Sequence, residues 1–313
     1  MISLRQHAIS IVAIFLALAI GVVLGSQTLA ADLLSGLRAD KADLRQQVDT
    51  LTERNRQLDE QTAAADRFIA GSSGRILGGT LADRGVVVFT TPDADPADVE
   101  AVSRALAAAG AAVTGRIALT EAFADATEGD RMRTALTNVI PAGAQLRTGA
   151  VDQGSMAGDL LGLVLLLDPA SGQTRSTPEE LGLALETLRG GGFLAYGDTP
   201  VRPAQLAVVI TGDAAAAGDG AGPNIARFAG ALRGRGAGVV LAGRAGAADG
   251  QGPIAVVRAD AALAAQVSTV DNVERELGRV TTVLALGEQL NGGAGRYGTG
   301  AKAASLTLAV VPG

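Results

Sequence analysis

The sequence predicts an α/β protein that consists of a transmembrane helix, a coiled-coil helix and a doubly wound, mostly parallel sheet. Three observations predict this fold class. An uncharged apolar run opens the chain, a polar stretch with evenly spaced leucines follows, and short β-branched runs then alternate with amphipathic segments. Such alternation is typical of parallel sheets whose two faces are covered by helices.

The apolar run predicts a membrane anchor. No charged residue occurs from Ala8 to Ala31, and the most apolar part, Ala8 to Gly25, is about as long as a membrane-spanning helix. Arg5 and the amino group precede the run and no basic excess follows it, which predicts a cytoplasmic N-terminus and an exported remainder. The triplet Thr28-Leu29-Ala30 leaves a cleaved signal peptide as one alternative, and a buried helix of a soluble protein is another.

A long polar helix is predicted after the anchor, because residues 30–67 lack proline and contain a single glycine, Gly36. Leucine recurs every seven residues at Leu37, Leu44, Leu51 and Leu58. If these leucines occupy the d positions of a heptad, the a positions are Leu34, Lys41, Val48 and Asn55. Asn at an a position fixes the register of parallel two-stranded coiled coils, so the pattern favours a dimeric stalk. The alternative is a solitary helix that lies against its own globular domain.

Glycine and serine then predict an interruption of this helix. The segment "AGSSGRILGGT", from Ala70 to Thr80, indicates a hinge. The predicted organisation is therefore an anchor or uncleaved signal at 1–29, a coiled-coil stalk at 30–69, a hinge at 70–84 and an exported α/β domain at 85–313.

Repeated strand–helix units predict the sheet of the α/β domain. The segment from Gly85 to Leu119 contains a strand, an amphipathic helix from about Pro96 to Ala108 that Asp93 or Asp95 could cap, and a second strand. The same order recurs from Leu206 to Gly243, which makes the domain Rossmann-like. The other predicted elements are the helix Pro223 to Leu232 of that second unit, a capped helix and a strand within Thr177 to Asp198, a helix from Gly278 to Leu290 and a last strand from Ala304 to Val311.

Composition excludes several classes of function. Among 313 residues the net charge is −6 and only 3% are aromatic, so a basic or stacking surface for nucleic acid is not expected. Cysteine is absent and His7 is the only histidine. Thiol catalysis, histidine-based triads and Cys/His zinc sites are therefore excluded from the globular part. We expect no cofactor and no enzymatic activity.

Glycine-rich segments approach nucleotide-binding motifs without matching them. In "GRYGTGAK", from Gly295 to Lys302, Ala301 separates the glycine from the lysine of a phosphate loop, and Ala303 replaces its hydroxyl residue. "GDGAGPN" at Gly218 and "GRGAG" at Gly234 lack the spacing of a dinucleotide-binding loop. These segments predict turns rather than nucleotide sites.

Carboxylates and methionines supply the remaining candidates for a metal site. The aspartates of "PDADPAD" occupy a turn and a helix start, where they cap helices, and Asp271, Glu274 and Glu276 are predicted on a solvated face beside Arg275. Soft metals prefer thiolate, thioether and imidazole ligands. Met132, in a polar helix, and Met156, in a loop, are predicted to be packing residues, and no ligand set is assigned from Met1, Met132, Met156 and His7.

Three long segments resemble the mycobacterial copper transport protein B family of actinobacteria. They are the opening "MISLRQHAISIVAIFLALAIGVVLGS", "VDQGSMAGDLLG" from Val151 to Gly162, and the closing stretch from Ser268 to Gly300. The resemblance implies copper efflux and copper homeostasis with copper as the transported ion, a place in the cell envelope at the outer membrane, and an oligomeric pore. It carries no catalytic, cofactor or copper-ligand residue onto this chain.

Taken with the residues, the resemblance predicts a single-pass membrane protein that associates through its coiled coil and exports copper. A non-enzymatic envelope scaffold, which binds a protein or a cell-wall component and affects copper indirectly, is the alternative. An extracytoplasmic α/β enzyme is a third hypothesis that rests on fold class alone.

Overall fold

The computed structural model describes residues 4–213 and 220–308, without the side chains of residues 4, 5, 26–36, 38 and 39. Several predicted features lie outside this description. Met1, Gly218 and the end of the last predicted strand are not described, and neither are the side chains of Arg5, Thr28-Leu29-Ala30 and Leu34. The chain divides into two compact units, Met1–Ala65 and Asp66–Gly313.

One helix, α1 (Leu4–Leu77), accounts for the described part of the first unit and opens the second. Its first 62 residues contain no proline, which allows an unbroken run of backbone hydrogen bonds. The predicted helix interruption at Ala70 is wrong, because α1 continues through Gly71 and Gly74 to Leu77. Leu77 is buried against the second unit's core, and this packing outweighs the low helix propensity of glycine.

The second unit is a mixed α/β domain, as predicted. In its described residues, one sheet has the strand order β3-β2-β1-β4-β5-β6-β7. The strands are β1 (Gly85–Thr90), β2 (Ala112–Leu119), β3 (Leu194–Ala195), β4 (Leu206–Ile210), β5 (Gly238–Ala242), β6 (Ser268–Val270) and β7 (Arg296–Tyr297). All neighbouring pairs are parallel except β2 and β3, so the prediction of a mostly parallel sheet is confirmed.

Helices cover both faces of this sheet. They are α2 (Pro96–Ala108), α3 (Glu121–Ala124), α4 (Gly129–Thr137), α5 (Gln153–Leu165), α6 (Pro178–Gly190), α7 (Ala221–Arg233), α8 (Pro253–Ala259), α9 (Ala261–Ala264) and α10 (Glu276–Leu290). The predicted helix Pro96–Ala108 is confirmed, and the side chain of Asp95 caps it by accepting from the Ala97 amide.

Alternating side chains of the strands divide the core into two clusters. Val87 and Phe89 of β1 belong to the cluster that contains α4 to α8, whereas Val86 and Val88 point to the cluster of α2, α10 and the end of α1. On the first face, the Phe228 ring lies edge-on to Phe89, with ring centroids 5.2 Å apart. Strands buried on both faces explain the nearly continuous apolar runs in the sequence.

The C-terminal end departs from the prediction. Within residues 304–308, Ser305 forms one isolated bridge to Tyr297, and the predicted strand from Ala304 is wrong over this part. Since β7 itself is only two residues long, it offers this segment too short an edge for a ladder.

Candidate functional site

The first unit presents an uncovered apolar segment. Gln6–Gly25 is a stretch of 20 helical residues with a mean hydropathy of 2.8, and none of it is buried within the chain. A helix of this length and composition is sufficient to cross the hydrocarbon core of a bilayer. The segment is consistent with the predicted membrane anchor, and whether it is cleaved stays a prediction.

A second uncovered apolar surface, which we call the leucine face, consists of Leu37, Leu44, Leu51 and Leu58. These side chains are 64%, 61%, 61% and 52% exposed. The ion pairs of the same region lie elsewhere on the helix surface: Arg56 contacts Glu53 at 2.7 Å and Glu60 at 2.5 Å. These three charged residues therefore lie away from the leucine face, whose exposed side chains can bind another apolar surface.

In the α/β unit, the carboxyl ends of β1, β4 and β5 mark the place where open α/β sheets usually bind ligands, since the strand order reverses between β1 and β4. Here the chain fills much of this edge itself. A side chain at Gly212 would overlap the backbone of Asp93, and one at Gly246 would overlap the backbone of Asp213. The loops that follow β1, β4 and β5 are therefore in close contact at these described positions.

An ion network ties the same edge together. Arg244 donates to Asp95 at 2.5 Å and to the buried Asp98 at 2.8 Å, and Arg279 donates to Asp98 at 3.1 Å. The hydrogen bond with Asp98 raises the pKa of Arg244 above its ordinary value. Two guanidinium groups thus neutralise Asp95 and Asp98 of the "PDADPAD" segment, which acts as a helix start and as part of the network.

Glu274 is a carboxylate at this edge whose charge is poorly compensated. One of its carboxylate oxygens is buried and has no hydrogen-bond partner among the described residues. Burial, followed by the nearby charge of Asp98, raises the pKa of Glu274 above its ordinary value. The prediction that Glu274 lies on a solvated face is therefore wrong.

The predicted solvated face is also wrong for Asp271, which is completely buried. Its carboxylate accepts from Arg258 at 2.5 Å and from the amides of Thr299 and Gly300 at 2.7 and 3.0 Å. Arg258, buried as well, also donates to the Tyr297 carbonyl at 2.7 Å. Low water access makes each of these charge-assisted bonds costly to lose.

This arrangement explains the imperfect phosphate-loop motif. The backbone amides that would surround a phosphate in such a loop bind the chain's own carboxylate instead. Gly298 has φ 123°, and a side chain there would overlap Asp271. Gly298 and Gly300 are therefore needed for the close approach of this loop to Asp271, and the loop is a structural element.

The segment "VDQGSMAGDLLG" forms most of α5 and packs closely on α7. Added side chains at Gly154 and Gly158 would overlap the carbonyl oxygens of Asn224 and Phe228, and one at Gly162 would lie 2.7 Å from the Arg235 side chain. A glycine at every fourth position thus allows the two helix backbones to come into contact.

Asp159, between two of these glycines, is the buried acid of this interface. It accepts from Arg147 at 2.6 Å and from Arg235 at 2.7 Å. Although burial acts in the opposite direction, the bonds from Arg235 and Arg147 hold the pKa of Asp159 below its ordinary value. An ionised Asp159 therefore connects α5 to two other segments.

Met132 and Met156 take the packing role that the sequence predicts. Met132 is buried in the core, and Met156 is partly buried against it. The predicted loop position of Met156 is wrong, because its apolar neighbours continue as the helix α5. Among the described residues, no group of three or more His, Cys, Asp or Glu side chains is placed to hold a metal ion.

A shallow cleft of about 430 Å³ lies beside the ends of β1 and β2. Its walls are largely apolar, and an ion pair between Arg116 and Glu100 lies in its lining. Tyr196, which also lines it, stacks under the Arg189 guanidinium at 4.6 Å. Its two charged lining residues, Arg116 and Glu100, pair with each other, and no cluster of convergent polar groups in the lining points to a ligand.

Comparison with known proteins identifies the family. A family model described as "Copper transport outer membrane protein, MctB" matches residues 1–308. The chain belongs to the MctB family. It is 46% identical over 314 residues to "Copper transporter MctB" of Mycobacterium tuberculosis (strain ATCC 25618 / H37Rv), covering 98% of this chain and 99% of that protein. "Copper transporter MctB" of Mycobacterium leprae (strain TN) is 45% identical over 315 residues, with the same coverage.

Membership in the MctB family confirms the resemblance seen in the sequence. The family match includes the apolar anchor segment, the leucine face, the α5 glycines and the loop that binds Asp271. Sequence reasoning missed the buried acids Asp159 and Asp271. A signal for the first was present, since Asp159 is the one charged residue in the apolar run from Gly154 to Leu167.

Proposed function

We propose that this chain transports copper out of the cell as a membrane-anchored envelope protein. Two relatives of nearly equal length are named copper transporters, and the family is described as a copper transport outer membrane protein. Copper is the substrate in this proposal, and the chain is a transport protein rather than an enzyme. The N-terminus faces the cytoplasm and the α/β unit is exported, in keeping with Arg5 before the apolar segment and the lack of a basic excess after it.

The observation that carries the proposal is the coexistence of two uncovered apolar surfaces on one helix. Gln6–Gly25 is suited to lipid, and the leucine face is suited to another helix. A single spanning helix encloses no lumen, so a path for an ion has to form between several copies. The leucine face supplies the contact that gathers those copies, and we propose that it forms a coiled coil.

The first test is copper export in cells that lack the endogenous family member and carry either this chain or a variant. In Leu44→Lys/Leu51→Lys, two lysines disrupt the leucine face. Gln46→Lys/Thr50→Lys adds the same charge to the same helix on another face and serves as the matched control. We expect intracellular copper to rise to the level of the empty strain in the first variant and to stay at the wild-type level in the control.

A second test distinguishes a pore from an envelope scaffold. Purified full-length protein in planar bilayers is expected to give discrete conductance steps that the Leu44→Lys/Leu51→Lys variant lacks. If inserted, folded protein shows no conductance while cells still require it for copper tolerance, the pore is refuted and the scaffold, with an indirect effect on copper, replaces it.

A further inference from the structure

Charged residues beside the leucine face indicate which surface can pair with it. With the leucines at d, the g positions are Asp40, Gln47, Arg54 and Gln61, and the e positions are Arg38, Arg45, Thr52 and Asp59. In a parallel, in-register pair of helices, each g residue lies next to the e residue five positions further along the partner helix.

Both charged g positions meet an opposite charge in that arrangement. Asp40 lies against the partner's Arg45, and Arg54 lies against the partner's Asp59, twice each by symmetry. All four side chains are exposed, and none forms an ion pair with another described residue of its own chain. Residues five positions apart on one helix are about 140° apart around its axis, so these pairs form between chains and not within one.

The a positions agree with the same arrangement. Val48, a β-branched residue, and Asn55 occupy a, while leucine occupies d, a combination that favours two parallel strands. Lys41, the remaining described a residue, lies beside the partner's Asp40 in this geometry. An antiparallel pair would instead place e against e and g against g, and would lose the Asn55–Asn55 contact that fixes register.

We propose that the partner of the leucine face is a second copy of this chain, parallel and in register, selected by the Asp40–Arg45 and Arg54–Asp59 pairs between the two copies. This inference rests on the self-association in the proposed function but not on copper. It limits the primary assembly to two chains, so a pore requires that such dimers associate further.

The test is a charge-reversal cycle in full-length protein, with the dimer dissociation constant measured by sedimentation equilibrium in detergent micelles. Arg54→Glu faces the partner's Asp59 and is expected to weaken the dimer about tenfold at low salt. Arg54→Glu/Asp59→Arg restores opposite charges in the parallel arrangement and should return to within about twofold of wild type. Asp49→Arg, on another face, is the control and should leave the constant unchanged.

Two results would overturn the pairing. A double variant that binds no better than Arg54→Glu shows that positions 54 and 59 do not meet, and a chain that stays monomeric at every concentration shows that the leucine face has another occupant. Helix content by circular dichroism verifies that α1 is intact in each variant.

Disulfide cross-linking gives an independent measurement in native membranes, because the chain has no cysteine. Facing d positions of a parallel pair bring the two Cα atoms within the range of a disulfide, so Leu37→Cys and Leu58→Cys should each cross-link to a dimer. Thr50→Cys should not. Cross-links at only one of the two d positions would refute the parallel register. Loss of copper export with intact cross-linking would count against the proposed function and leave this pairing standing.

Discussion

The same residue type has opposite surroundings in the two units of this chain. Leu160 and Leu161 of α5 are completely buried, whereas Leu44 and Leu51 of α1 are each 61% exposed. Most apolar side chains of the α/β unit are covered by its own sheet and helices, with exceptions such as Val151 and Leu183, whereas those of Gln6–Gly25 and of the leucine face are exposed. The described core therefore forms within the α/β unit, and the apolar surfaces of the N-terminal helix are suited to a membrane and to a partner.

Polar groups show the same contrast. In the α/β unit, Asp159 and Asp271 are buried, and each accepts from at least one guanidinium group and at least one backbone amide. In the N-terminal helix, pairs such as Arg56–Glu53 are half exposed. Buried pairs are costly to break from one side, and exposed pairs contribute little. The two regions should therefore respond differently to equivalent substitutions.

The largest effect is expected for Asp271→Ala. This change leaves the buried Arg258 guanidinium without its counter-charge and the Thr299 and Gly300 amides without their acceptor, and should lower the free energy of unfolding by about 3–5 kcal/mol. Denaturant unfolding followed by circular dichroism measures the change. Asp130→Ala, which removes an exposed carboxylate 3.3 Å from Arg133, is the control and should cost less than about 1 kcal/mol. Equal losses in the two variants would contradict the structural role of Asp271.

A smaller change in the free energy of unfolding is expected for glycine replacements in two helices of the α/β unit, and its sign depends on the packing around each glycine. Gly158→Ala in α5 would force a methyl group against the Phe228 carbonyl and should destabilise the unit by about 1–3 kcal/mol. Gly182→Ala in α6 meets no atom within 4 Å and should stabilise it by about 0.5–1 kcal/mol. Thermal or denaturant unfolding tests both, and a stabilised Gly158→Ala would refute the close α5–α7 contact.

The sequence was sufficient for the parts of the fold that depend on local patterns. Alternating β-branched strands and capped helices predicted the parallel sheet, and Asp95 before Pro96 predicted the start of α2. It failed where tertiary packing decides. Gly71 and Gly74 would end a solvent-exposed helix, but Leu77 is held in the core and keeps the last turns helical.

Buried charge was the other failure of sequence reasoning. Asp271 and Glu274 alternate with polar residues and have the spacing of a solvated face. Only the fold brings Arg258, thirteen residues earlier, and the amides of the glycine-rich loop to Asp271. The leucine face is the opposite case, because the sequence shows its heptad spacing but the structure of one chain does not test its self-association, which stays a prediction.

A modest, pH-dependent change in the free energy of unfolding is expected when Glu274 is replaced. Because its pKa is raised in the folded state, folding favours the protonated acid, and this contribution to stability is present below the unfolded-state pKa and is lost as pH rises through the folded-state pKa. Glu274→Gln removes the charge but keeps the shape. The variant should gain stability over wild type near pH 7 and lose that advantage near pH 4, as measured by denaturant unfolding at both values. A difference that does not depend on pH would show that Glu274 is not strained by burial.

The smallest effect on the stability of the α/β unit is expected for Leu51→Lys. Compared with the same change at the buried Leu160, it contrasts the two regions directly. Since the Leu51 side chain is 61% exposed and belongs to neither described core cluster, the stability of the α/β unit should change by less than about 0.5 kcal/mol. Leu160→Lys introduces the same charge into a completely buried position of α5 and should unfold the unit.

Amide hydrogen exchange of β1 and β4 reports on that unit alone. If Leu51→Lys accelerated exchange in these strands, the leucine face would be part of the α/β core's own support. Unchanged exchange together with a weakened dimer would assign that face to a second chain.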